Sequence, residues 1–141
     1  MVQLIVGKKG KGKTKYLLDK VNTAIKAANG NIVYLDKSSK HMYELNNKVR
    51  LIDVSNFPLK NSDEFIGFIC GILSQDHDLE QMYLDSFLRL SRLEGNESLM
   101  EDCVNQLENI SKIFNVEFVL SVSMDKEELS AGLQDKVILA L

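Results

Sequence analysis

A three-layer α/β protein, with a mostly parallel sheet between helical layers, is predicted by three observations on the sequence. Short apolar runs of strand length alternate with longer runs whose apolar residues recur at helical spacing, as in parallel strands joined by crossover helices. The first run, Val2-Gln3-Leu4-Ile5-Val6, is nearly continuous in apolar residues, as expected of a strand buried on both faces. Between it and the first helical run lies a loop rich in glycine and lysine, Gly7 to Thr14. The chain has 141 residues, 45% hydrophobic and 26% charged, with a single proline. That length predicts one domain, residues 1–141, with no room for a second.

The loop reads Gly7-Lys8-Lys9-Gly10-Lys11-Gly12-Lys13-Thr14 and satisfies the phosphate-binding pattern G-x-x-x-x-G-K-[ST]. Four specified positions out of eight arise by chance in a chain of this length about one time in a hundred, and the flanking strand and helix lower those odds. Each residue type has a reason. Glycines allow a wrapped backbone whose N–H groups point inward at phosphate oxygens, and Lys13 brings a point charge to the β- and γ-phosphates. Thr14 offers a hydroxyl to Mg²⁺, and the first turn of the next helix adds unpaired N–H groups and its dipole. Lys8, Lys9, Lys11 and Lys15 stand in or beside the loop, so Gly7 to Lys15 is the expected binding segment.

After the loop, Tyr16, Leu17, Val21, Ala24, Ile25 and Ala28 recur at helical spacing, predicting a helix over 13–29 that stops at Asn29-Gly30. Further strands are predicted at 31–35, 49–54, 81–85, 117–122 and 136–140, and helices at 62–74, 86–94, 98–114 and 126–131. Ser98 with Glu101, and Asn61 with Glu64, have the spacing of capping boxes. Gly95 and Gly132 follow predicted helices, where a left-handed residue is wanted. In such a sheet the ligand belongs at the carboxyl ends of the strands.

Charge is unevenly placed. Residues 1–30 hold seven lysines against Asp19 alone, a net +6, so the remainder carries −9 of the overall −3. Five of the lysines surround the loop, where a polyphosphate explains them, and the acidic remainder argues against a nucleic-acid backbone as partner. Cys70 and Cys103 lie among apolar residues and are expected to be buried reduced thiols, not a disulfide or metal pair. His41 and His77 are isolated, whereas metal sites need clustered donors. With a strand predicted from residue 2 no leader is expected, and no apolar stretch approaches the length of a membrane span; the expected location is the cytoplasm, away from membranes.

Three predicted strands carry an aspartate at or near their ends: Asp36, Asp53 and Asp85. A phosphate-loop protein needs one such carboxylate near the loop to hold a Mg²⁺-bound water opposite the loop threonine. Each could instead be an ordinary strand-end aspartate capping the next helix. The chain resembles the RecA-like class of P-loop NTPases, which inserts a strand between the loop strand and the Walker B strand and runs loop strand, edge strand, Walker B strand, sensor strand, closing strand. On that resemblance Gln81 to Asp85 is the Walker B strand, Phe118 to Ser121 the sensor strand and Val137 to Ala140 the closing strand, which favours Asp85 over Asp53 and Asp36. The early part is also similar in layout to a small thymidine-kinase-type domain, with Val49 to Val54 as a short extra strand. Over its length the chain is similar to short bacterial P-loop proteins catalogued as twitching motility proteins. It lacks the extra domain and the arginine, acidic and histidine motifs of pilus-retraction motors, so only Gly7 to Thr14 and Asp85 carry over.

The resemblance implies the P-loop NTPase fold and a protein that binds a nucleoside triphosphate with Mg²⁺, using Lys13 and Asp85. ATP is favoured over GTP by the absence of an Asn-Lys-x-Asp guanine motif. The RecA-like class often has a water-polarising glutamate directly after the Walker B aspartate, and here Ser86 stands there. Serine is no general base without a partner. Glu44, Glu94 and Asp36 are the acidic replacements, and Ser121 and Ser123 are candidates for contact with the γ-phosphate or its water. The only arginines are Arg50, Arg89 and Arg92, and no arginine-bearing lid is visible; the longest flexible connection, 36–48, offers Lys37, Lys40 and Lys48. Hydrolysis is therefore expected to be slow or to depend on a protein partner. Two other readings are a phosphotransferase with Arg89 and Arg92 near its acceptor, and a degenerate scaffold acting by protein binding.

Overall fold

All strands of the sheet are parallel, so no hairpin exists and every connection crosses a face. The computed structural model describes residues 1–141. In chain order it contains β1 (Val2–Val6), α1 (Lys13–Ala27), β2 (Asn31–Asp36), β3 (Arg50–Asp53), α2 (Ser62–Ser74), β4 (Leu79–Leu84), α3 (Phe87–Leu90), α4 (Met100–Phe114), β5 (Glu117–Val122), α5 (Ala131–Gln134) and β6 (Val137–Ala140), with 3₁₀ turns at Val54–Asn56, Glu97–Leu99 and Lys126–Glu128. The six strands are ordered β3-β2-β4-β5-β1-β6. β5 is thus the strand inserted between β1 and β4. The edge is held by β3 and not by β2, because the short run at 50–53 adds itself outside β2 in parallel register, Asp36 opposite Asp53.

Alternation along the strands divides the core in two. Val2, Leu4, Val33, Leu35, Met82, Leu84, Phe118 and Leu120 face α2 and α4, whose Phe65, Ile69, Val104 and Leu107 complete a cluster of 27 buried residues. The opposite face is covered by α1 with Leu45 and Val49 from the β2–β3 connection, and its cluster has 11 members, among them Ile5, Leu17, Val21, Ile32, Tyr34, Tyr83 and Val119. Full burial of such a side chain contributes about 1.5–3 kcal/mol. Because α1 works nearly alone there, a groove of about 540 Å³ stays open between Tyr16 and Lys20 on one wall and Gln3, Gln81 and Glu117 on the other. No helix is long and apolar enough to cross a membrane.

Several expectations need correction. The helix expected at 86–94 is a single turn, since Arg92 takes a left-handed φ of 61° and ends regular structure. The Ser98–Glu101 capping box does not form. Leu99 is the residue before α4, and the Glu101 carboxylate lies against Gly132, where an added Cβ would meet its Oε2 at 2.6 Å. Gly132 itself falls inside α5 without a left-handed φ, and the segment at 126–131 is a 3₁₀ turn followed by that short helix. Asn61 does cap α2, its Oδ1 accepting from the Glu64 N–H at 2.9 Å. Cys103 is buried, while Cys70 is only partly so; both are free thiols.

The first helix ends where Ala28 turns extended, and Gly30 beyond it lies against the Asp78 backbone. α1 ends two residues earlier than expected, at Ala27, and a Cβ on Gly30 would lie 2.0 Å from the Asp78 carbonyl oxygen, a backbone atom that cannot swing away. Gly30→Ala is expected to lower stability by about 1–3 kcal/mol through overpacking. Gly67→Ala, on the exposed face of α2 with open space around it, is expected to raise stability by about 0.5–1 kcal/mol. Denaturant titration of the two variants should give shifts of opposite sign.

Candidate functional site

Parallel strands deliver their carboxyl ends to one edge of the sheet, so the segments after β1, β2, β4 and β5 converge there. They enclose an open cavity of about 960 Å³, lined by Lys8, Lys9, Gly10, Gly12, Lys13 and Thr14 from the glycine-lysine loop, by Asp36, Lys37, Lys40 and His41 after β2, and by Asp85, Ser86, Arg89, Ser121 and Ser123 from the other strand ends. Gly10 and Gly12 hold φ of 82° and 94°, a left-handed backbone that glycine adopts without strain. Gly12 starts α1 with no side-chain cap and no acidic residue in the first turn, which leaves the first amides free for an anion. Gly7 lies beneath the cavity, packed on Leu141 so closely that a Cβ would meet the Leu141 oxygen at 3.0 Å. Lys11 and Lys15 are exposed and do not line it.

Lys13 is 9% exposed, and its ammonium donates to the carbonyls of Gly7 at 2.7 Å and Lys8 at 3.1 Å. Burial lowers its pKa; the Asp85 charge opposes this, while Lys37 and Lys9 reinforce it. A further anion beside Lys13 would relieve that deficit. The loop is braced from behind: the Gly7 N–H donates to the Met124 carbonyl at 2.9 Å, and the Lys8 ammonium donates to Glu128 Oε1 at 2.5 Å.

Asp85 is the hub of the site. It is 3% exposed and follows β4 directly, its own N–H donating to the Leu35 carbonyl at 3.0 Å. Three hydroxyls donate to its carboxylate: Thr14 Oγ1 to Oδ1 at 3.3 Å, Ser121 Oγ to Oδ1 at 2.8 Å, and Tyr34 to Oδ2 at 2.8 Å. Burial, then the Asp85 charge and the hydrogen bond, push the Tyr34 phenol well above its ordinary range, so it is a permanent donor. The next residue, Ser86, holds φ 60° and ψ 54°, a strained backbone for a residue with a Cβ. It is kept there by its N–H to Ser121 Oγ at 2.7 Å and by its carbonyl, which accepts from Arg89 and Leu90 at 2.9 and 3.0 Å. Its hydroxyl does not cap α3.

The other two aspartates part ways. Asp53 caps the following turn, accepting from the Ser55 N–H at 3.0 Å and its hydroxyl at 2.5 Å. Asp36 is 2% exposed; its Oδ1 accepts the Lys37 N–H at 2.7 Å, and its buried Oδ2 has no hydrogen-bond partner. Leu35 pairs with Leu84 in register, so Asp36 and Asp85 stand side by side at the ends of neighbouring strands. Burial first and the Asp85 charge second push the Asp36 pKa upward.

Of the remaining candidates, Arg89 and Ser123 reach the cavity and Glu94 stands at its exposed rim. Arg92 instead donates to the carbonyls of Leu59 and Arg89, both at 2.9 Å. Glu44 lies outside the cavity, 3.3 Å from His41 Nδ1. The sequence reading missed Tyr34; its one signal was position, two residues before Asp36 and therefore on the same face of β2. No cluster of three His, Cys, Asp or Glu side chains suited to a metal ion is present. Compared with known proteins, the chain matches no family model and no curated protein.

A buried carboxylate with one unbonded oxygen is a cost that grows when it ionises. Because the pKa of Asp36 is higher folded than unfolded, the folded state binds the extra proton between the ordinary value of 3.8 and the raised one, and stability falls as pH rises through that window. Asp36→Asn is therefore expected to stabilise the protein at pH 7 by about 1 kcal/mol, and the gain should vanish near pH 3. Chemical denaturation at the two pH values measures both.

Proposed function

We propose that this chain is a P-loop protein that binds a nucleoside triphosphate, ATP in preference to GTP, together with Mg²⁺ in the cytoplasm, and that hydrolysis is slow unless a partner supplies a missing group. One observation carries the reading. The hydroxyl of Thr14, at the end of the glycine-lysine loop, lies 3.3 Å from the Asp85 carboxylate, which comes from a strand two places away in the sheet. A hydroxyl and a carboxylate side by side at the edge of an anion-binding loop are the protein ligands that Mg²⁺ needs when phosphate oxygens and water fill its other positions. The uncapped α1, the buried Lys13 and the strand order, with β5 between β1 and β4, support the same reading.

The residues fit the cation and its nucleotide. Thr14 and Asp85 would hold Mg²⁺, and the ion would supply positive charge against the phosphates. The loop amides and Lys13 would hold the phosphates, and Tyr34 and Ser121 fix the Asp85 carboxylate in place. Slow turnover follows from what stands around them: Ser86 occupies the usual place of a water-orienting glutamate, and Arg89 is the one arginine on the cavity wall.

Lys13→Ala is expected to weaken binding of a nonhydrolysable ATP analogue by roughly ten- to a hundredfold, the equivalent of about 1.5–3 kcal/mol for a charge-assisted contact, while nucleoside binding stays unchanged. Calorimetry that finds equal triphosphate affinity in both proteins would remove the loop from the reading. In the same assay Asp85→Asn should lower the Mg²⁺-dependent part of the affinity, whereas Asp53→Asn, altering only a turn cap, should not.

Unassisted turnover should fall well below the ordinary enzymatic rate of about ten per second. An arginine supplied by a partner accelerates phosphate-loop enzymes by about three to five orders of magnitude. A purified wild-type protein working at the ordinary rate would overturn the slow-hydrolysis part and leave nucleotide binding standing.

A further inference from the structure

The face of the sheet covered by α1 carries a second concavity. The groove of about 540 Å³ beside α1 falls within the range of small-molecule sites, about 300–1,000 Å³, and shares no lining residue with the cavity at the strand ends. Its helical wall is the stripe Tyr16, Asp19, Lys20 and Thr23, spaced to share one side of α1. Its other wall is the sheet, where Gln81 and Glu117 are register partners and Gln3 is the partner of Val119, two residues along β5 from Glu117. Neighbouring strands lie about 4.8 Å apart, so Gln3, Gln81 and Glu117 form one polar patch on one face. The patch is out of character for β1, β4 and β5, interior strands of a parallel sheet, which as a rule are apolar on both faces. Two residues farther along, each of these strands is apolar on the same face, at Ile5, Tyr83 and Val119, all buried. The polar character is thus confined to the groove, and its acceptors are unspent. Gln3 donates an amide N–H to Met1 Sδ at 3.6 Å, while its Oε1 accepts nothing. Asp19 has no ion pair, and Glu117 has only the N-terminal ammonium at 3.9 Å, which stands closer to Glu108, at 3.4 Å. Lys20 is the one cation of the groove, so two carboxylates face one ammonium and leave a net −1. Tyr16, 48% exposed, adds an aromatic ring to the helical wall.

We propose that this groove is a binding site for a small organic dication, a free diamine with an apolar spacer, one ammonium held by Asp19 on the helical wall and the other by Glu117 and the Gln3 Oε1 on the sheet. Tyr16 and Val119 give the spacer an apolar path, and a ring beside an ammonium adds cation–π attraction. The placement of the carboxylates sorts the ligand: a monocation satisfies one wall only, and an anion meets a groove of its own sign. The proposal stands apart from the nucleotide reading, because the groove lies on another part of the sheet and draws on none of the loop residues.

The test titrates the full chain by calorimetry with putrescine, 4-amino-1-butanol and 1,4-butanediol, ligands of one shape that carry two, one and no charges. Putrescine is expected to bind roughly fivefold more tightly than the amino alcohol, and the diol not measurably. Asp19→Asn and Glu117→Gln should each weaken putrescine by roughly fivefold, to the level of the amino alcohol, and Lys20→Ala should strengthen it. Glu127→Gln, which removes an exposed carboxylate outside the groove, should change nothing. In the wild-type protein putrescine should shift the side-chain amide NMR signals of Gln3 and Gln81, a readout that places the ligand. Failure of putrescine to bind, equal affinity for all three ligands, a loss with Glu127→Gln as large as with the groove variants, or shifts confined to the glycine-lysine loop would each overturn the site. None of these outcomes touches triphosphate binding at the loop, which is measured separately.

Discussion

The buried carboxylate of Asp85 holds the working edge of this protein together. A carboxylate taken out of water costs several kcal/mol unless its oxygens are bonded, and here hydroxyls from α1, β2 and β5 meet that demand at once. Each such charge-assisted bond contributes about 1.5–3 kcal/mol. The three together do more than stabilise. They fix where the first turn of α1 sits relative to two strand ends, so the loop in front of that turn inherits a position from an interaction it does not make. The strain at Ser86 belongs to the same arrangement, since the Ser121 hydroxyl that holds Asp85 also receives the Ser86 N–H.

Much of this was legible in the sequence because it is local. A continuous apolar run, a loop of fixed glycine spacing and a helix with period 3.6 define β1, the loop and the start of α1 without reference to the rest of the chain, and β1, α2 and β5 fall at their expected residues. Asp85 is favoured over Asp53 and Asp36 by resemblance to the RecA-like strand order, and the structure sets its carboxylate beside the Thr14 hydroxyl. What could not be read depends on contacts between distant residues. Glu101 has the spacing of a capping box but turns to Gly132 instead of back to Ser98. The helix expected after Asp85 breaks at Arg92, whose left-handed backbone is held by its guanidinium on the Leu59 and Arg89 carbonyls. Tyr34 reads as one more apolar-strand residue until β2 and β4 are placed side by side.

Asp36 and Asp53 show the same limit at higher resolution. They are register partners at the ends of β2 and β3, and in the sequence each is an aspartate closing an apolar run. One is followed by a serine within reach of its carboxylate and is spent on a turn; the other is buried at the end of β2 and is left with an unbonded oxygen. No periodicity separates a satisfied carboxylate from an unsatisfied one. Only the packing of the neighbouring strand does, and a residue kept at a cost to stability is where function is to be sought.

β1 pairs with β5 on one side and β6 on the other, strands that come from the far end of the sequence. The glycine-lysine loop leaves β1 directly, and its back is held by Met124 and Glu128. The loop can therefore take its shape only after β5 and β6, far along the chain from it, have been made. Pairings of such long sequence separation are slow to close, because loop entropy is lost before any contact repays it. The most cationic segment of the chain thus waits on distant strands, and the glycine-lysine loop takes its shape only as β5 and β6 enclose β1.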